Sequence, residues 1–136
     1  MNIYLDIDGV LVGSKSPRVD VIKLLQYILE KYPSNTYWLT THCKKGASRC
    51  IEWLRQNNFP PDLLEELAEK VQPTDWGALK TDAIDMDQDF VWFDDNLFEM
   101  ERNILKANYT IDGYFKMDPH DPEAAKKALN HLKSLN

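Results

Sequence analysis

Phe90-Val91-Trp92-Phe93-Asp94-Asp95, FVWFDD, is the stretch that decides how this chain is built. Four residues, each β-branched or aromatic, read as a buried strand, and the acid pair bounds it at a polar edge. On either side the chain alternates between such runs and segments of helical period. Residues 2–6 (NIYLD) read as a first buried strand and 37–40 (YWLT) as a second. Between them Val21, Leu24, Leu25, Ile28 and Leu29 fall at helical spacing, closed by Pro33. Ala47, Cys50, Ile51 and Leu54 mark the inner face of the next helix, Pro60-Pro61 breaks the chain, and 62–70 is helical. The pattern further predicts a short strand at 71–72, helices over 77–84 and 97–106, and a strand near 110–115. A last helix is expected behind an Asp121-Pro122 cap. Strands alternating with helices predict an α/β fold: a Rossmann-like, doubly wound parallel sheet with helices on both faces.

A chain of 136 residues is expected to form one domain, 1–136, with a proper core. Its net charge of −6, with no long basic run, gives no indication of nucleic-acid or membrane-surface binding. No apolar run is long enough to span a bilayer. The first strand is expected to begin within two residues of Met1, so no signal peptide is expected. Cys43 and Cys50 fit neither a disulfide framework nor a paired zinc motif, so a reducing cytoplasm is the expected home.

In sheets of this kind ligands sit beyond the carboxyl ends of the strands. Asp6 and Asp8 end the first strand, Thr40 the second, and Asp94 and Asp95 the FVWF strand. So many carboxylates converging would repel one another, which a bound cation resolves. Hard oxygens without His or Cys among them suit Mg²⁺. Lys80 adds an ammonium and Thr40 a hydroxyl, and the set as a whole suits phosphoryl transfer, which needs positioning and charge neutralisation above all.

In order and over nearly its whole length, the chain resembles the haloacid dehalogenase-like phosphohydrolases. DIDGV (6–10) resembles their first motif, WLTT (38–41) the second, Lys80 in GALKTDAID the third, and VWFDD (91–95) the fourth. The resemblance implies that Asp6 is a nucleophile forming an aspartyl-phosphate and Asp8 the general acid and then base. It implies that Asp6, the Asp8 carbonyl, Asp94 and Asp95 hold Mg²⁺, and that Thr40 and Lys80 bind phosphoryl oxygens. The loop after Thr40 then forms the rim, so Thr41, His42, Lys44, Lys45 and Arg49 are expected to touch a phosphorylated substrate. Ile7 stands where ion-pumping relatives carry Lys, and Asp8 is the acid that dehalogenating relatives lack, so a phosphatase is implied. The segments at 9–20 and 58–79 are too short for a cap domain, with 11–17 left as a flap. A capless site implies either a bulky substrate or closure by a partner subunit. Each motif alone is commonplace, and their joint order carries the reading.

HCKKGASR (42–49) offers a competing site, since its spacing resembles the phosphate loop of cysteine-based tyrosine phosphatases. Cys43 would then be the nucleophile and Arg49 the phosphate clamp. Cys50 follows where those enzymes usually carry a hydroxyl, and the reading leaves Asp6, Asp8, Lys80, Asp94 and Asp95 without a role. A receiver-type signalling domain would need the acids and lysine in a different order. A catalytically silent, phosphate-binding relative is the remaining alternative.

Overall fold

The structure of the protein is a computed structural model that describes residues 1–136, apart from the side chain of Lys45. Four strands form one sheet: β1 (Asn2–Leu5), β2 (Thr36–Trp38), β3 (Phe90–Asp94) and β4 (Tyr114–Lys116). Their order is β2-β1-β3-β4, and every pairing is parallel. Helices α1 (Val21–Lys31), α2 (Ala47–Gln56), α3 (Pro61–Lys70), α4 (Glu99–Ala107) and α5 (Ala124–Ser134) cover it. The sheet is thus the Rossmann-like, doubly wound one that the alternation of runs predicts.

Alternation along the strands divides the core in two. Ile3, Leu5, Val91 and Phe93 face a layer built from the apolar stripes of α1, α2, α3 and α5. Tyr4, Phe90 and Trp92 face the other way, against Leu105 of α4, Leu39 and Ile84. Continuous burial along β1 and β3 follows from cover on both faces, and it is why FVWF reads as an unbroken apolar run.

The chain leaves β1 toward β2 on one side, and leaves β3 toward β4 on the other. Neighbouring strands whose connections diverge open a crevice at their carboxyl ends. Leu5 pairs with Phe93, so Asp6 and Asp94 emerge side by side there.

Several elements differ from expectation. The segment expected to be helical over 77–84 contains only a 3-10 turn at Lys80–Ala83. Its first backbone N–H is taken by the Glu101 carboxylate at 3.0 Å rather than by a helical carbonyl. The 71–72 strand reduces to one parallel bridge, Tyr37 with Gln72, at the sheet edge. The strand near 110–115 is β4 alone, preceded by a 3-10 turn at Ile111–Gly113. α5 starts at Ala124, and Asp121 acts earlier, accepting from the Glu123 N–H at 2.9 Å. Residues 9–17 fold as turns tied by the bridges Asp8 with Val12 and Val12 with Pro17.

Candidate functional site

Carboxylate oxygens of Asp6, Asp94 and Asp95 lie within 4.8 Å of one another at the crevice. Backbone pairing puts them there: the Asp6 N–H donates to Phe93 O at 3.1 Å, which carries the β1–β3 ladder one residue beyond β1. Gly9 turns the chain behind Asp6 with φ 76°, and a side chain there would run into the Asp95 carboxylate. Only glycine meets both demands. Lys80 Nζ reaches into the cluster, 2.6 Å from Asp94 Oδ2 and 3.3 Å from Asp6 Oδ2. Over these groups lies a cleft of about 210 Å³, bordered also by Thr41 and Trp76.

Asp94 is 1% exposed, and burial, then the charge of Asp6, pushes its carboxyl up to about 6 against the pull of Lys80. Asp95 is raised too, by burial and then by its hydrogen bond and charge contact with Asp94. Burial presses the Lys80 ammonium down, yet Asp6 and then Asp94 carry it above its ordinary value. One ammonium against three carboxylates leaves the crevice with surplus negative charge. An all-oxygen donor set of this kind, partly buried and under-neutralised, fits a hard divalent cation such as Mg²⁺.

Glu101, on the first turn of α4, sequence reasoning passed over. It is 2% exposed, and its two oxygens accept from the Lys80 N–H and the Phe98 N–H, each at 3.0 Å. It therefore fixes the backbone from which Lys80 reaches the acids. Its single advance signal is an acid in a first helical turn, which many solvated residues share.

The Asp8 carboxylate does not join the cluster. Its side chain is 58% exposed and accepts from Trp53 Nε1 at 2.8 Å, while His42 Nε2 lies 2.9 Å from its other oxygen. His42 and Trp53 stack, with ring centroids 5.2 Å apart. The two threonines divide differently from expectation. Thr40 is buried, its hydroxyl accepting from the His42 N–H at 3.5 Å to start the 3-10 turn Thr41–Lys45. It is Thr41 that borders the cleft over Asp6. Thr41, His42, Lys44 and Arg49 also border a second cleft of about 410 Å³ with Trp53. Lys44 lies 3.9 Å over the Trp76 ring.

Cys43 is 3% exposed, its thiol among backbone carbonyls, 3.0 Å from Thr40 O and 3.5 Å from Thr74 O. Carbonyl oxygens accept a proton's hydrogen bond and repel a thiolate, so this is a packed thiol. Burial, then the neighbouring Cys43, pushes the Cys50 thiol up to about 12, as suits a core residue. Asp85, Asp87 and Asp89 are exposed, and the Asp85 carboxylate closes a local turn on the Asp87 N–H.

Fold and site together define an α/β domain with a lysine-bridged carboxylate centre at the switch point of a parallel sheet. Comparison with protein-family models, curated proteins and solved structures found no match. No helix among the described residues is long and apolar enough to cross a membrane.

Proposed function

We propose that the protein is a Mg²⁺-dependent phosphomonoester hydrolase of the haloacid dehalogenase-like class, with Asp6 as nucleophile. The observation that carries the reading is the convergence of Asp6, Asp94 and Asp95 around Lys80 at the switch point. Asp6, Asp94 and Asp95, with the Asp8 main-chain carbonyl, would hold the cation. When bound, Mg²⁺ offsets the charge of the acids and of the phosphoryl oxygens.

A carboxylate oxygen of Asp6 attacks phosphorus, and the bond to the ester oxygen breaks. Asp8 gives its proton to that oxygen, which leaves as an alcohol. The Asp8 carboxylate then takes a proton from water as the water attacks the aspartyl-phosphate, freeing phosphate and restoring Asp6. Lys80 steadies negative charge on the transferred group, and Thr41 borders the place where that group enters. His42 and Trp53 hold the Asp8 side chain apart from the metal-binding carboxylates, at the edge where a leaving group would depart. Two free, buried thiols support a reducing compartment, the cytoplasm, as its place of work.

The experiment is phosphate release from an aryl phosphate, first with Mg²⁺ and then with excess chelator. Release that stops on chelation is the expected result. Release that persists through chelation points to Cys43 and overturns Asp6. No release under either condition leaves a silent, phosphate-binding domain as the better reading.

A further inference from the structure

We propose that the cleft beside Asp8 holds the leaving group and binds a second phosphate on it, making the substrate a bisphosphorylated small molecule. The inference rests on the phosphatase reading and adds the substrate class to it. One face of α2 floors the cleft, with Arg49, Glu52 and Trp53 at helical spacing, and the 3-10 turn walls it with Thr41, His42 and Lys44. Thr41 borders this cleft and the one over Asp6, so the two meet at that residue. Asp8 marks the same boundary, because both partners of its carboxylate, His42 and Trp53, line the larger cleft. A general acid delivers its proton within hydrogen-bond reach. The departing oxygen must therefore lie toward His42 and Trp53, with the rest of the leaving group in the cleft.

Charge decides what that group carries. Glu52 is the one acid lining the cleft among the described residues, and its oxygens are engaged by Arg55 at 3.1 Å and Gln56 at 3.2 Å. No described carboxylate pairs with Lys44 or Arg49. Arg49 thus lines the cavity without a carboxylate partner, and Lys44 stands at its edge with its ammonium over the Trp76 ring and 3.4 Å from Gly77 O, on a molecule of net charge −6. A cavity of about 410 Å³ suits a compact organophosphate, and the overall charge opposes an extended polyanion.

The test is calorimetric titration of the Mg²⁺-loaded Asp6→Asn protein, which does not turn the ligand over, with propane-1,3-diol bisphosphate and, separately, with the matched monophosphate. The bisphosphate is expected to bind about tenfold more tightly, the gain of one charge-assisted contact at an exposed site. Arg49→Gln and Lys44→Gln each draw that ratio toward one. Because the ratio is internal to each variant, general damage to the fold lowers both affinities and leaves it unchanged. Equal affinities, no measurable binding, or a ratio that survives both substitutions overturns the proposal. Tighter binding of a 5′-phosphorylated oligonucleotide than of the bisphosphate also overturns it. Binding tests this inference and Mg²⁺-dependent phosphate release tests the phosphatase reading, so either can fail alone.

Discussion

Asp94 is the most deeply buried acid of the centre, and its burial has a measurable sign. Its carboxyl is raised from 3.8 to about 6, so the folded protein holds a proton there that the unfolded chain releases earlier. A folded state that binds the extra proton is favoured at low pH and loses that advantage as pH rises from about 4 to 6. Asn mimics the protonated acid. In chelator, Asp94→Asn is therefore expected to match wild type near pH 4 and to gain thermal stability relative to it by pH 7. Melting curves across that range check this, and a difference flat with pH refutes it. At the same scale, Asp6→Asn is expected to abolish phosphate release while Cys43→Ser largely spares it. The reason is that Cys43 meets backbone carbonyls and the Thr74 hydroxyl, contacts that a serine hydroxyl can also make. The reverse pattern in a phosphate-release assay would sink the aspartate mechanism.

At the scale of elements, the first turn of α4 and the 3-10 turn at Lys80–Ala83 act as one unit through Glu101. Glu101→Ala strips a charged acceptor from two backbone N–H groups in a buried place. A loss of about 2 kcal/mol in denaturant melts is expected, from the usual cost of such orphaned donors. Activity should fall further than stability explains, because Lys80 loses the backbone anchor that aims it at Asp6 and Asp94. Restoring the acceptor with Glu101→Gln should recover part of both, and a variant that loses stability alone would make Glu101 a purely structural residue. The same unit explains why 77–84 is not a helix: a tertiary carboxylate takes the N–H that a helix would have used.

For the whole molecule, the centre is a consequence of strand order. β1 and β3 are neighbours although α1, β2, α2 and α3 intervene, and only that crossover sets Asp6 beside Asp94. A cation held there binds the folded chain alone. Mg²⁺ at about five times its dissociation constant is expected to add about 1 kcal/mol of stability. For a domain of this size that is a rise of about 4 °C in Tm. Differential scanning calorimetry reads it directly, and Asp94→Asn should abolish most of the rise. A Tm indifferent to Mg²⁺ would remove the metal from the proposal.

By itself the sequence determined the alternation of elements, because apolar period and strand-end acids are local patterns that survive without neighbours. It also marked Asp6, Asp94 and Asp95, since a buried strand that ends in acids stands out in any order of folding, and Lys80 through the order in which it falls between them. Trp53 and Glu101 were not legible, because a tryptophan on α2 and an acid on α4 look like any packing or solvated residue until a distant backbone or carboxylate meets them. Nor was the turning of the Asp8 carboxylate away from its neighbours toward His42 and Trp53. Those positions were decided only by the tertiary structure. A hydrogen bond's partner across 45 residues of chain is set by where the strands cross, and nothing in the local pattern records it.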